Sequence, residues 1–288
     1  MKHLYLFSLI FAFLTSCQED LTPSWLVVDN VVFTTNESVE GPNTHDIVDA
    51  WVYIDNQSMG VWEIPFRMPV LDEGEHTLLI IPGIKLNGQT GNRTTNAFYE
   101  TYTTTINLTK EEETKVVPTF KYKSIIKIIA RDDFEDTGVI LNPVTGEDST
   151  KFEIISKNNY PDIVKYGNNC GMLKLSSADS IVKVVTDLNL PVVQSKMYLE
   201  LDYLSTNSFA IGIISETSAN VQNDQFPFVG AYRTKEDNYE WKKMYFPLSE
   251  QINLDPFAQY FEFYIYGALD NDNSEAVIYI DNLKIVYL

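Results

Sequence analysis

From Trp25 onward the chain is cut into short pieces. Apolar runs a few residues long alternate with polar residues and are interrupted by Gly, Pro, Asn and Asp. A period of two puts one side of each segment into a core, and the frequent turn residues keep segments from growing into helices. Aromatic residues make up 13% of the sequence, with 17 Tyr and 16 Phe, and they suit a pleated, half-buried surface. No segment after Cys17 carries apolar residues at helical spacing, and the acidic stretch 110–114 reads as a loop between strands. We therefore expect an all-β protein of two β-sandwiches.

The first unit is expected over 25–122, with strands at 25–33, 48–55, 59–64, 76–82, 98–108 and 115–122. Between Ala50 and Gly60 a strand enters the polar turn Asp55-Asn56-Gln57-Ser58 and leaves as a hairpin. The phrases Glu73-Gly74-Glu75-His76, Pro82-Gly83-Ile84, Asn87-Gly88 and Phe98-Tyr99 then follow in order. This series resembles small Ig-like sandwiches of the PEGA type and the amino-terminal half of certain Bacteroidota lipoproteins. The resemblance implies a spacer or binding module, with His76 a structural residue of a turn.

The second unit is expected over 124–288, with strands at 125–131, 150–155, 172–176, 181–186, 196–204, 209–215, 228–233, 239–247, 260–266 and 276–287. Some ten strands in that length fit a jelly roll. The opening Asp133-Phe134-Glu135, the strand Trp241-Lys242-Lys243-Met244-Tyr245-Phe246 and the closing Tyr279-Ile280-Asp281-Asn282-Leu283-Lys284-Ile285 resemble carbohydrate-binding-module and galactose-binding-like jelly rolls. The linker near 121–124 is short, so the two sandwiches are expected to be closely coupled.

The amino terminus carries a different signal. Lys2 precedes an apolar run from Leu4 to Leu14, too short to span a bilayer, and then Leu14-Thr15-Ser16-Cys17. This resembles a bacterial lipoprotein signal over 1–16, implying acylation of Cys17 and a short tether over 17–24. Stable anchoring takes more than one acyl chain, which such processing supplies. Gln18-Glu19-Asp20 resembles a surface-export signal, so the expected location is the outer membrane, lipid-anchored and surface-exposed. The formal charge of −19 repels phosphate backbones, which argues against nucleic acid as a partner. With Cys17 given to lipid, Cys170 is the remaining thiol. We expect it half-buried near a turn, without a disulfide partner.

Two groups of residues are candidates for sites. The jelly-roll resemblance implies that an early Glu and a late Asp meet, because first and last strands are neighbours. Asp133, Glu135 and Asp281 are thus candidate ligands of a structural calcium ion, which wants several hard oxygens. Sugar rings stack on aromatic faces while polar groups read their hydroxyls, which makes Phe226, Phe228, Tyr232, Tyr239 and Tyr264 candidates for ligand contact. Trp241 is expected to pack between the sheets. His45 and His76 are far apart and belong to no G-x-S-x-G or H-E-x-x-H motif, so no catalytic residue is assigned.

The expected function is non-catalytic binding of a glycan or another envelope component through the second unit, with no cofactor beyond that calcium. A structural or assembly subunit of an outer-membrane complex, meeting envelope proteins, is the alternative. A glycoside hydrolase stays open because paired carboxylates are invisible among 40 acids.

Overall fold

A computed structural model describes residues 22–144, 151–186, 188–191, 195–216, 222–225, 240–253, 255 and 257–288. The amino-terminal unit contains β1 (Ser24–Val28), β2 (Val32–Thr34), the one-turn helix α1 (Glu37–Glu40), β3 (Ile47–Ile54), β4 (Gln57–Glu63) and β5 (Phe66–Val70). It continues with β6 (Gly74–Lys85), β7 (Arg93–Thr95), β8 (Tyr102–Leu108), β9 (Glu113–Lys115) and β10 (Thr119–Lys121). One sheet runs β4-β3-β6-β7 with β8 also on β6, a second runs β5-β1-β9, and β2 pairs β10. Leu26, Val52, Leu78, Ile80 and Phe98, each fully buried, fill the space between them.

Local chemistry explains the joints. Asp55 and Asn56 both hold positive φ (48° and 64°), which gives the β3–β4 hairpin a turn that matches strand twist. The expected strand 25–33 is two strands, parted at Asp29-Asn30: β1 pairs β5 and β9, whereas β2 pairs β10. Pro118 lies in the break that likewise separates β9 from β10. β5 was not expected because Pro69 weakens its strand signal; it is an edge strand, where a missing amide is tolerated.

The second unit contains β11 (Lys127–Asp132), β12 (Leu141–Pro143), β13 (Lys151–Ser156), β14 (Asn169–Ser176), β15 (Ile181–Thr186) and β16 (Leu190–Pro191). After these come β17 (Met197–Ser205), β18 (Phe209–Glu216), β19 (Gln222–Gln225), β20 (Lys242–Pro247), the short helix α2 (Leu248–Ile252), β21 (Tyr260–Ala268) and β22 (Glu275–Tyr287). Sheet β13-β14-β22-β17-β20, with β11 on β22, faces sheet β12-β15-β21-β18-β19, with β16 on β21. Their inner faces meet through Leu173, Val184, Leu199, Ile213, Phe263 and Ile280. The protein is thus all-β, two β-sandwiches with the jelly roll second. The expected strand at 228–233 lies outside the described residues.

β22 sets the geometry of the sites. It pairs with β11, β14 and β17, so the first and last strands of this unit are neighbours. Inward positions run Ala276, Ile278, Ile280 and then Leu283, Ile285, so the alternation slips by one at Asp281-Asn282. The register shifts opposite, between Glu200 and Asp202, and Asn282 takes φ 50°. Such a bulge re-aims side chains. Here it leaves two consecutive polar residues, Asp281 and Asn282, off the inner face.

The outer face of this sheet is buried as well. Tyr198, Tyr245 and Val286 pack into the core of the first unit. The Tyr245 hydroxyl accepts from the Asp46 amide at 3.0 Å and from the Tyr99 hydroxyl at 3.2 Å. Elsewhere on that face Ile163 and Val164 from segment 157–168 pack with Cys170, Met172, Leu204 and Tyr279. Trp241 joins this outer cluster, not the space between the sheets, because its indole nitrogen is held by the Ile163 carbonyl at 2.8 Å. Cys170 is likewise fully buried within β14, where alternation points it into the outer cluster, instead of half-buried at a turn.

Candidate functional site

The Asp132-Asp133-Phe134-Glu135 segment leaves β11 as a tight loop. Asp132 accepts the Phe134 and Ile140 amides, both at 2.9 Å, which lets Phe134 hold φ 55° and bury its ring. Glu135 then reaches the turn before β14 and accepts the Asn168 and Asn169 amides at 2.6 and 2.9 Å. A Cβ on Gly167 would stand 2.3 Å from that carboxylate, at φ 55°, so only glycine serves there. Although partial burial opposes it, these hydrogen bonds hold the Glu135 pKa below its ordinary value.

Asp133, Glu135 and Asp281 line one cavity of about 130 Å³, together with Glu37, Tyr166 and Asn282. Asp281 is 1% exposed; one oxygen accepts the Asn282 amide at 2.7 Å and Oδ2 has no hydrogen-bond partner. Burial, with Asp202, Asp133 and Glu135 adding repulsion, pushes its pKa up to about 8. The expected neighbours therefore share a cavity. Among the described residues, however, no three His, Cys, Asp or Glu side chains converge closely enough to hold a metal ion. Glu135 is spent on backbone amides, and Asp133 lies 3.7 Å from the Arg131 guanidinium.

The opposite sheet carries an aromatic face. Phe261, Phe263 and Ile265 of β21 point into the core, so alternation turns Tyr260, Glu262, Tyr264 and Tyr266 outward. Their partners on β18 make room for rings: Tyr266 lies opposite Ala210 and Tyr264 opposite Gly212. A Cβ on Gly212 would come within 2.2 Å of the Tyr264 ring, so that ring lies across the glycine. From β15 the Lys183 ammonium stands 4.5 Å above it, a cation–π distance. Tyr264 itself is buried, while Tyr260, Glu262 and Tyr266 remain partly exposed. Tyr264 was legible as a candidate. Tyr260 and Tyr266 were missed, though the Tyr-x-x-x-Tyr-x-Tyr spacing on one strand face could have found them. Phe226, Phe228, Tyr232 and Tyr239 lie outside the described residues, as does Cys17.

The histidines serve turns and joints. His76 Nδ1 is 2.7 Å from Asp55, and its Nε2 is 3.5 Å from Asp72, closing the β3–β4 turn against the start of β6. His45 Nδ1 accepts the Ile47 amide at 3.3 Å, and burial followed by the Lys243 charge holds its pKa down. Among the described residues no helix is long and apolar enough to cross a membrane.

No family model matches the chain, and no curated protein matches it. Among solved structures it is similar to the CBM22-1 xylan-binding domain of Paenibacillus barcinonensis Xyn10C: 9% identity, 56% of this chain and 94% of that one, TM-score 0.41. It is also similar to the family 30 carbohydrate-binding module of a Clostridium thermocellum cellulosomal cellulase, with 14% identity, 55% and 97% coverage and TM-score 0.38. A family 11 carbohydrate-binding module from Clostridium thermocellum, in complex with a mixed-linked tetrasaccharide, gives 16% identity, 56% and 94% coverage and TM-score 0.36. At these values the likeness carries no inference about function.

Proposed function

We propose that this protein is a non-catalytic glycan-binding protein of the cell envelope, held at the outer-membrane surface by lipid on Cys17. Its ligand contact lies on the outer face of β15, β21 and β18. The observation that carries this reading is the row Tyr260, Glu262, Tyr264 and Tyr266, flanked by Lys183 and set over the small residues Ala210 and Gly212. Flat rings beside a carboxylate and an ammonium suit a sugar, whose C–H face stacks while its hydroxyls are read by polar groups.

A glycan array probed with the protein lacking residues 1–17, alongside a Tyr260→Ala/Tyr266→Ala variant, tests the reading. Binding is expected for the parent and loss of it for the variant; silence of the parent across the array would sink it. The anchor is tested separately: Cys17→Ser is expected to abolish labelling by radioactive palmitate and to release the protein from the membrane fraction.

A further inference from the structure

A second concavity lies on the other side of the second unit, where it meets the first. Its cavity measures about 390 Å³, within the ordinary range for small-ligand sites. The first unit supplies Asp46, at the entry to β3, and Lys85, at the end of β6; the second supplies Tyr203, Trp241, Lys242 and Lys243. Tyr203 lies on β17 and Lys242 and Lys243 on β20, in the sheet opposite the tyrosine row, so the two sites are independent.

The charge of the cavity runs against that of the chain. Lys and Arg number 21 against 40 Asp and Glu, yet three lysines border this one cavity. Lys243 is committed, 3.0 Å from the Thr44 hydroxyl and 3.5 Å from Asp202. Lys85 and Lys242 are not: among the described residues neither makes a hydrogen bond or an ion pair. Asp46 and Glu240 are the acids on the lining; Asp46 feels both ammonium charges without forming an ion pair with either.

The floor is built for a polar ligand. Tyr203 is 2% exposed, with its ring in the sandwich core against Phe209 and its hydroxyl beside Gly88. That hydroxyl makes no hydrogen bond among the described residues. It lines the cavity, where a ligand hydroxyl or carboxylate can accept a hydrogen bond from it. Trp241 forms a wall whose orientation is fixed by the bond from its indole nitrogen to the Ile163 carbonyl.

We infer that this cleft binds a saccharide bearing a carboxylate, a uronic or sialic acid residue, with the acid group on Lys85 and Lys242. Tyr203 donates to the sugar and Trp241 offers it an apolar face. Neutral sugars lack a charged group to answer the Lys85 and Lys242 ammonium groups.

The test is calorimetric titration of the purified protein with glucuronate, galacturonate and N-acetylneuraminate, and with glucose and galactose as neutral controls. Saturable binding is expected for at least one acid and roughly tenfold weaker binding for its neutral counterpart, the size of one charge-assisted hydrogen bond. Lys85→Met and Lys242→Met should each weaken binding about tenfold. Both side chains are at least partly exposed, so their melting temperatures should match the parent. Tyr203→Phe should weaken binding without altering the preference for acids. Equal affinity for acid and neutral sugars, no heat from any acid, or indifference to both lysine substitutions would overturn the inference. A polyuronate arm distinguishes a polymer from a free sugar: tighter binding than the monomer identifies the polymer, equal binding the single residue, and either ranking sustains the site.

Discussion

The Tyr122 hydroxyl donates a 2.7 Å hydrogen bond to the Glu200 carboxylate across the boundary between the two sandwiches, and both residues are buried. Two ammonium groups share that carboxylate, Lys284 at 3.9 Å and Lys243 at 4.0 Å. Lys284 also donates to the Glu40 carbonyl at 2.7 Å, and burial, followed by the Lys243 charge, lowers its pKa to about 8. The junction is therefore an electrostatic unit in which each charge depends on the others.

Removing the acid should cost more than removing the hydroxyl. Glu200→Ala leaves Lys243 and Lys284 buried without their carboxylate, a loss of about 3–5 kcal/mol. Tyr122→Phe deletes one bond to a charged acceptor, about 1.5–3 kcal/mol. Urea unfolding of both single variants and the double should show this order and a coupling between them; additive losses would mean the unit does not exist.

Asp281 makes stability depend on pH in an unusual direction. Its folded pKa of about 8 lies above the ordinary 3.8, so the native state holds its proton more tightly than the unfolded chain does. That contribution is complete below pH 3.8 and is lost as pH rises toward and through 8. Asp281→Asn should flatten the fall in melting temperature between pH 5 and 9 (roughly the span of that titration). If Asp281 keeps its proton in place of an ion, calcium or a chelator should leave the parent's melting temperature unchanged. A rise with calcium that vanishes in Asp281→Asn would show that the acids close on an ion.

The hairpin clip depends on pH through two groups. Hydrogen bonding to Asp55 raises the His76 pKa above 6.5, so its stabilisation is present below 6.5 and fades as pH rises through the folded value. Asp55, held below 3.8 by His76 and the Thr77 amide, loses its share only as pH falls through that lowered value. The clip is thus strongest between the two. In an NMR titration the His76 pKa should drop in Asp55→Asn; an unchanged value would dissolve the pairing.

Gly212 tests the tyrosine face. Gly212→Ala puts a methyl into the Tyr264 ring, and overpacking of this kind costs about 1–3 kcal/mol. Denaturant midpoints should fall accordingly, and the Tyr264→Ala background should erase most of the loss. A full loss in that background would mean that the ring does not lie across the glycine.

Strand alternation and turn chemistry are local, which is why the sequence by itself determined the all-β class, the hairpin at Asp55-Asn56 and most of the strand positions. The jelly-roll resemblance further implied that an acid after β11 and Asp281 on β22 should be neighbours. It could not say what those acids do. Whether Glu135 meets an ion or the amides of 168 and 169 depends on a turn 33 residues away. Trp241 shows the same limit: its alternation suits either face of a sheet, and only segment 157–168 made the outer face apolar. The cleft of Lys85, Lys242 and Tyr203 was wholly hidden, because it exists only where two sandwiches meet. Local pattern determined the sheets; the packing of one sheet's outer face against its neighbours decided which polar groups came together in a cleft.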